Sequence, residues 1–398
     1  MLYKIYSTTI LLLHFYGLSQ GQYLWNKKAT FAGEYSWESV GFSIGNMGYI
    51  ATGASHPGDF SNELWQYDTT NNNWIQKSSL PIGLQEAVGF SIGNKGYIGT
   101  GDTAGFEIRT NQFFEYDPID DVWTPKANFG GTPRDHAFSF SLNGKGYIGG
   151  GDDDDSTRND LWEYDPVEDN WTKKSNMPIS GISGAIAFAM NNKAYVGVGL
   201  DSSGYSKIFF EYDPLNDTWA RKANFGGTGR WEAVAFSIGN YGYVGTGLDP
   251  NDLNDFWEYD PVHDSWKRVN NFPGLGRYDA IGFVIGSSGY LGIGSEDNDF
   301  YKFTPDISMA IPELKNIPYH IKFSPNPFSY ETILETDQQL TNAVLFIYNS
   351  YGQLVKQIVN IVGWKIKIRQ DSLPNGIYFL RLIQNNELIA TDKFEITD

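Results

Sequence analysis

The sequence of 398 residues contains no cysteine and only five histidines. The lack of cysteine excludes disulfides, thiolate metal sites and a cysteine nucleophile. Positive charge is also scarce, because 29 basic residues stand against 47 acidic ones and the net charge is −18. Residues 23–305 hold 20 basic and 37 acidic residues, whereas residues 306–398 hold 8 and 10. Nucleic acids and anionic membranes need a cationic protein surface, so we expect neither as a partner.

Long apolar runs are missing from most of the chain, so no transmembrane span of about 20 residues is predicted. The exception is the N-terminus, where Lys4 precedes an apolar stretch over residues 10–18 and small residues follow near 19–21. This order of charge, apolar run and small residues is typical of a signal peptide. We therefore predict a signal peptide over residues 1–22 and expect the protein to be exported.

What the sequence has in abundance is a repeat of 47–50 residues. A Gly-Tyr pair, once Ala-Tyr, marks each copy at 48–49, 96–97, 146–147, 194–195, 242–243 and 289–290. A second marker, Tyr-Asp, follows in five copies, and a tryptophan stands seven residues beyond that tyrosine. These tryptophans are Trp74, Trp123, Trp171, Trp219 and Trp266. Self-similarity at such a period is typical of propellers and other repeat architectures.

Each copy contains four short runs with the composition of β-strands. Between the third and fourth runs lies Asp-Pro-x-x-Asp, as in residues 117–121 and 165–169. Asp before Pro favours a type I turn, because proline presets φ and the aspartate accepts backbone N–H groups. Four antiparallel strands in about 48 residues, repeated around an axis, form a propeller blade.

The number of blades follows from matching the strands. Six Gly-Tyr strands are followed by only five tryptophan strands, but Trp25-Asn26-Lys27-Lys28-Ala29 matches residues 219–223. We expect this N-terminal strand to complete the last blade as its outermost strand, which removes an open sheet edge. The predicted fold is an all-β, six-bladed propeller closed by the N-terminal strand over residues 23–305.

The repeat resembles the kelch family, which combines a glycine pair after a strand with an aromatic residue and a tryptophan at fixed distance. Here the glycine element reads Gly149-Gly150-Gly151 in one copy and Gly-x-Gly elsewhere, as in Gly99-Thr100-Gly101. The resemblance covers about residues 23–305. Because the repeat tryptophans recur once in each copy, we expect them to be structural and to pack between blades: Trp25, Trp74, Trp123, Trp171, Trp219 and Trp266.

The loop before the first strand of each copy carries the candidate ligand site at the rim of a central channel. Arginines, acids and aromatic residues recur there, and they suit a polar pocket for a sugar with aromatic platforms. The candidates are Trp37, Glu38, Glu86, Arg134, Asp135, His136, Arg230, Trp231, Glu232, Arg277, Tyr278 and Asp279. The alternative is that the arginines pair structurally with neighbouring acids.

A second, acidic loop offers a weak calcium candidate at Asp152, Asp153, Asp154 and Asp155, although the spacing is not that of an EF-hand. Apart from this run we predict no metal site, no cofactor and no catalytic residue. The few histidines disfavour a transition-metal site. A copper radical oxidase of the kelch class needs a cysteine-modified tyrosine, which this chain does not have.

Three functions remain open for the propeller. We favour a binding module for a protein or a glycan over an enzyme. Six-bladed kelch proteins include a bacterial sialic acid mutarotase, so a metal-independent sugar mutarotase using Arg230 and Glu232 is the enzymatic alternative. The third possibility is a scaffold with no small ligand.

The repeat disappears after residue 305, where we predict a linker over 306–317 and a small β-sandwich over 318–398. Pro325-Asn326-Pro327, Tyr351-Gly352 within a strand-turn-strand, and Asn375-Gly376-Ile377-Tyr378 resemble the C-terminal sorting domain of type IX secretion cargo. The resemblance implies that residues 318–398 bind that secretion machinery. It also implies that the protein is secreted or lies on the outer surface of a Bacteroidetes-type bacterium.

Overall fold

The computed structural model describes residues 23–34, 37–56, 59–103, 108–295, 297–305, 320–349, 354–371, 373–384 and 387–397. These residues form β-strands, turns and loops, and the prediction of an all-β chain is confirmed. Among them there is no helix with the length and apolar character needed to cross a membrane. The predicted signal peptide (1–22) and linker (306–317) lie outside the described residues.

Six four-stranded antiparallel sheets make up the described part of residues 23–305. The first strands are β2 (Val40–Ile44), β8 (Val88–Ile92), β14 (Phe138–Leu142), β18 (Ile186–Met190), β24 (Val234–Ile238) and β28 (Ile281–Ile285). The second strands are β3 (Met47–Ala51), β9 (Lys95–Gly99), β15 (Lys145–Gly149), β19 (Lys193–Gly197), β25 (Tyr241–Gly245) and β29 (Ser288–Gly292).

The third strands carry the Tyr-Asp pairs or their equivalents: β6 (Leu64–Asp68), β12 (Phe113–Asp117), β16 (Leu161–Asp165), β22 (Phe209–Asp213), β26 (Phe256–Asp260) and β30 (Phe300–Thr304). The fourth strands carry the tryptophans: β7 (Asn73–Lys77), β13 (Val122–Pro125), β17 (Asn170–Lys174), β23 (Thr218–Arg221), β27 (Ser265–Val269) and β1 (Leu24–Lys27). Short hairpins extend three of the loops between second and third strands: β4 (Ala54–His56) with β5 (Asp59–Phe60), β10 (Asp102–Thr103) with β11 (Ile108–Arg109), and β20 (Leu200–Asp201) with β21 (Gly204–Tyr205).

The N-terminal strand β1 is the outer strand of the sheet made by β28, β29 and β30. Its Trp25 lies opposite Phe303 in the antiparallel register. The Trp25 indole N–H donates to the carbonyl oxygen of Asn270 at 3.2 Å, which ties this sheet to the chain leaving β27. The other repeat tryptophans make the same bond to the segment that leaves the preceding sheet, and their acceptors are Ala29, Ser78, Ala127, Ser175 and Ala223.

The Gly-Tyr pairs are explained by close packing between neighbouring sheets. A Cβ added to Gly96 would lie 2.5 Å from the ring of Phe42, and one added to Gly146 would lie 2.3 Å from the ring of Phe90. Each phenylalanine belongs to the first strand of the preceding sheet. Glycine is therefore needed where that aromatic ring lies directly on the second strand, because larger side chains would force the sheets apart.

One channel lies between the six first strands. Each first strand contacts the first strand of the next sheet, and β28 contacts β2. The channel has a volume of about 180 Å³, and equivalent residues of all six sheets line it, namely 39–41, 87–89, 137–139, 185–187, 233–235 and 280–282. Because most lining side chains are small and uncharged, the channel wall itself offers little chemistry. The candidate site residues stand immediately before these segments in the chain.

The C-terminal strands form a separate core. A five-stranded sheet contains β31 (Ile321–Ser324), β32 (Glu331–Tyr348), β33 (Leu354–Arg369), β34 (Gly376–Gln384) and β35 (Glu387–Ile396). The long strand β32 pairs with β31, β33 and β34, and register shifts interrupt its pairing with β33. Leu334, Leu345, Leu382 and Phe394 are among the buried residues of its core. The turn predicted at Tyr351-Gly352 lies outside the described residues.

Candidate functional site

Six equivalent residues stand at one end of the channel, each directly before a first strand. All six have left-handed backbone: Glu38, Glu86, His136, Gly184, Glu232 and Asp279, with φ between 47° and 56°. Only the fourth is glycine, so five non-glycine residues hold a conformation that L-residues adopt uncommonly. Strained backbone is tolerated where surrounding structure over-determines it, and such positions cluster at functional sites.

The loops before the first strands share one geometry, which depends on the Gly-x-Gly element at the end of the second strand. A Cβ added to Gly101 would lie 2.3 Å from the carbonyl oxygen of Gln85, and one added to Gly151 would lie 2.3 Å from that of Asp135. The loop before the first strand therefore packs directly on the second glycine. Residues 86 and 136 follow that contact, so the glycine element positions their side chains.

The five side chains other than glycine converge, and we call Glu38, Glu86, His136, Glu232 and Asp279 the mouth cluster. The His136 Nδ1 atom lies 3.0 Å from Glu86 Oε2, and Nε2 lies 3.0 Å from Glu232 Oε1. Glu38, Glu232 and Asp279 each place a carboxylate oxygen within 4.8 Å of the others. Glu38, Glu86 and His136 form a second group of this kind, in which one oxygen or nitrogen atom of each side chain lies within 4.8 Å of the others. The predicted rim thus brings four carboxyl groups and one imidazole together.

The glycine at the fourth position makes room for an aromatic side chain. A Cβ on Gly184 would lie 2.1 Å from the indole nitrogen of Trp231. The Trp231 ring stacks on His136, with ring centroids 5.1 Å apart and an interplanar angle of 28°. Trp231 therefore fills the gap in the mouth cluster and fixes the imidazole plane.

Burial in this acidic surrounding changes the protonation of the cluster. Burial, followed by the neighbouring carboxyl groups of Glu86 and Glu232, raises the pKa of Glu38 to about 9. Burial likewise raises the pKa of Asp279 well above its usual range, and Glu232 adds to that effect. Burial lowers the pKa of His136, but its contacts with Asp135, Glu232 and Glu86 outweigh this and the pKa is raised overall. The cluster therefore holds protons at pH values where carboxyl groups in water are ionised.

The three predicted arginines are placed elsewhere. Arg230 is 0% exposed, donates from Nη1 to Asp255 at 2.6 Å and to the carbonyl oxygen of Thr246 at 2.9 Å, and lies over the ring of Phe225. Arg134 and Arg277 repeat this arrangement with Asp160 and Asp299. Their guanidinium groups are enclosed and paired, so the structure favours the structural alternative for all three arginines.

Asp135 and two aspartates that the rim prediction did not include lie next to the mouth cluster. Asp135 is buried and pairs with Arg109 Nε at 2.6 Å. Asp102 lies beside Glu86 and Asp135, and burial followed by those charges raises its pKa to about 6. Asp152 joins Asp135 and His136. Asp102 and Asp152 directly follow the Gly-x-Gly element, a position that the sequence repeat marks.

The predicted calcium loop does not gather its carboxylates. Asp152 accepts hydrogen bonds from Thr157 and Ser183, and Asp153 pairs with Arg158. The side chains of Asp154 and Asp155 are 85% and 88% exposed and pair with arginines. Among the described residues, no three groups suitable for a metal include two members of this run.

Two aromatic residues flank the mouth cluster. Trp37 precedes Glu38 and is half-buried, and its backbone bridges to Ala54. Tyr278 precedes Asp279 and is half-buried. Burial raises the pKa of the Tyr278 phenol, and the carboxyl groups of Asp279, Asp252, Glu232 and Glu38 raise it further. Tyr278 is thus electrostatically part of the mouth, with a partly exposed ring.

Comparison with known proteins identifies the C-terminal region. Residues 322–397 match the secretion system C-terminal sorting domain, which confirms the sorting domain predicted there. This domain is typical of type IX secreted or cell-surface proteins of Bacteroidetes. No curated protein matches the sequence.

The chain is also similar to solved structures at the level of fold. A structure described as "Structure of YjhT" matches with a TM-score of 0.56 and 15% identity, covering 69% of this chain and 95% of that one. In all, 713 solved chains match, so the fold is widely used and does not specify a function by itself.

Proposed function

We propose that this protein works outside the outer membrane as a binding module. The sorting domain at residues 322–397 supports export by the type IX route. We assign residues 1–22 as the signal peptide for the first membrane, 23–305 as the binding domain, 306–317 as a linker and 318–398 as the region that contacts the secretion machinery.

The binding domain is, in this proposal, a six-bladed kelch-type propeller closed by the N-terminal strand. Six four-stranded sheets around one channel and the pairing of β1 with β30 support it. The tryptophan bonds that join each sheet to the preceding one support the same arrangement, and Trp25 supplies the sixth. The fold likeness to a solved structure that is covered over 95% of its length supports a fold of this kind.

The ligand site is the mouth cluster together with Trp37 and Tyr278, and the ligand class that it favours is an uncharged glycan. The observation that carries this is the convergence of four carboxyl groups at the channel mouth. Carboxylates accept hydrogen bonds from sugar hydroxyls, and a half-exposed aromatic ring offers an apolar face for the sugar ring. A carboxylated sugar is disfavoured, since the arginines that would bind it are enclosed and paired with aspartates.

A glycan array with the mature chain tests the proposal. We expect neutral glycans to bind, and we expect Trp37→Ala and Glu232→Gln to weaken binding at least tenfold, because each removes one type of contact. Asp120→Asn, an exposed turn residue, is the matched control and leaves binding unchanged. Failure of every glycan to bind, or binding by both site variants that equals that of the wild type, contradicts the proposal and favours a protein ligand or a scaffold.

The sugar mutarotase alternative rests on a different observation. Glu38, with its pKa raised to about 9, lies beside Glu86, so a carboxyl group that keeps its proton at neutral pH stands next to a second carboxyl group. Such a pair can act as general acid and general base on a sugar ring. The pair of Arg230 and Glu232 that the sequence suggested does not support the mutarotase alternative, because Arg230 pairs with Asp255 instead. Anomer exchange faster than buffer, slowed by Glu38→Gln, would establish this alternative for any glycan that binds.

A further inference from the structure

We propose that the mouth cluster binds one hard divalent cation of the calcium type between Glu38, Glu232 and Asp279. This site goes beyond the proposed glycan binding and does not depend on it. It is also distinct from the aspartate run at residues 152–155, whose members are engaged by other partners.

The spacing of the three carboxyl groups fits a single ion. One oxygen from each of Glu38, Glu232 and Asp279 lies within 4.8 Å of the other two. Calcium–oxygen distances of about 2.3–2.6 Å place two ligands on opposite sides of the ion roughly 4.6–5.2 Å apart. All three oxygens can therefore contact one ion with little movement of the backbone, which the left-handed residues and the packed loops hold in place.

Glu232 gives an independent indication of a missing partner. Its side chain is 9% exposed, and neither carboxylate oxygen accepts a hydrogen bond from any described residue. The nearest nitrogen, His136 Nε2, is 3.0 Å from Glu232 Oε1 and pairs with it electrostatically when the imidazole is protonated, but it donates no hydrogen bond to it. A buried carboxyl group without a donor costs free energy, and a cation removes that cost.

The contrast with the half-buried acids that pair with the enclosed arginines strengthens the inference. Asp255 and Asp160 each receive two guanidinium N–H donors and an indole N–H donor. Glu232 receives no such donor and faces Glu38 and Asp279 instead. A divalent cation held between the three carboxyl groups would supply the positive charge that a guanidinium group supplies to Asp255 and to Asp160.

The donor set selects the class of metal. The triad offers carboxylate oxygens only, which suit calcium, and exported calcium modules bind with a Kd of about 10⁻⁴–10⁻³ M. A second triad of Glu38, Glu86 and His136 contains a nitrogen donor and would prefer a transition metal. The two triads share Glu38, so a test needs variants outside the shared residue.

The experiment is a calorimetric titration of the chelator-treated mature chain with calcium chloride alone, at pH 8 and without glycan. We expect one calcium ion per chain, with at least tenfold weaker binding by Glu232→Gln and by Asp279→Asn. Asp155→Asn, from the exposed aspartate run, is the control and binds like the wild type. No heat of binding at millimolar calcium, loss in Asp155→Asn with retention in Glu232→Gln, or tighter binding of zinc that depends on His136 would each overturn the proposal.

Two further measurements separate loss of the site from loss of the fold. Without calcium, both variants should melt at or above the wild-type temperature, because each removes a carboxyl group from an acidic cluster. Calcium should raise the melting temperature of the wild type and leave that of the variants unchanged. If a variant fails to fold, the wild type alone decides: millimolar calcium must raise its melting temperature, and an unchanged melting temperature overturns the proposal. Since no glycan is present, failure here leaves the glycan proposal to its own test.

Discussion

Two sets of buried charged groups lie within a few residues of each other but are built on opposite principles. The arginines at 134, 230 and 277 are enclosed, and each pairs with an aspartate of its own sheet. The mouth cluster, two residues further along the chain, gathers carboxyl groups against a single imidazole. The first set balances its charges and stabilises the sheets. The second crowds carboxyl groups together without matching guanidinium donors, and groups left without such partners are what a binding site keeps for its ligand.

The largest effect on stability should come from a substitution that removes one of the three enclosed arginines from its ion pair. Arg230→Met leaves the half-buried Asp255 without its guanidinium partner, so we expect the free energy of unfolding to fall by about 3–5 kcal/mol. Urea unfolding followed by fluorescence measures it. Arg268→Ala, at an exposed arginine that bonds to Asn271, is the control and should change stability by less than about 0.5 kcal/mol. A loss below about 1 kcal/mol for Arg230→Met would show that the pair is not structural.

An intermediate effect should come from displacing the aromatic ring that completes the mouth. Gly184→Ala adds a Cβ against Trp231 at a φ of 56°, so we expect about 1–3 kcal/mol of destabilisation and a changed near-UV spectrum. Gly239→Ala is the matched control, because Gly239 has a φ of 60° but no atom near its Cβ position. If the two variants lose the same unfolding free energy, the loss reflects backbone strain alone, and the packing of Trp231 on residue 184 contributes nothing to it.

The smallest effect belongs to the exposed acidic loop. Asp154→Asn removes a carboxylate that is 85% exposed, so the free energy of unfolding should change by less than about 0.5 kcal/mol, with or without calcium. Thermal unfolding in calcium and in chelator measures both conditions. A calcium-dependent loss of stability in this variant would restore the aspartate run as a metal site and weaken the contrast between the two charge sets.

The repeat made much of the fold predictable. Gly-Tyr, Tyr-Asp and tryptophan spacings follow from contacts that recur in every sheet, such as Phe90 on Gly146 and the Trp123 bond to Ser78. The C-terminal motifs likewise predicted the sorting domain at residues 322–397.

The division of roles within the rim was not predictable in the same way. Arg230 and Glu232 are two residues apart, yet one bonds to Asp255 and the other reaches His136 at the channel mouth. The left-handed backbone at Glu232 changes the chain direction between them, and nothing in the residue types of that loop indicates it. Asp102 was not among the predicted rim residues for a related reason. It comes from a different loop and joins the mouth cluster only through the close packing on Gly101.

The most direct test of the crowded carboxyl groups in the mouth cluster is the pH dependence of the free energy of unfolding in the presence of chelator. The folded-state pKa of Glu38 is raised from 4.5 to about 9, and those of Asp279 and His136 are raised as well. The stability from these groups is therefore complete below their unfolded pKa values and is lost as the pH rises toward the folded ones.

Urea unfolding at pH 5, 7 and 9 should accordingly show the free energy of unfolding falling with pH. The same measurements on Glu38→Gln provide the comparison. The other charges of the chain affect the stability of both proteins equally, so the difference between the two declines reports on Glu38. We predict that the decline of Glu38→Gln between pH 5 and pH 9 is smaller than that of the wild type by more than about 1.4 kcal/mol, the equivalent of one pKa unit. Identical slopes for the two proteins, or a wild-type stability that rises toward pH 9, would contradict the account of an unbalanced acidic cluster at the channel mouth.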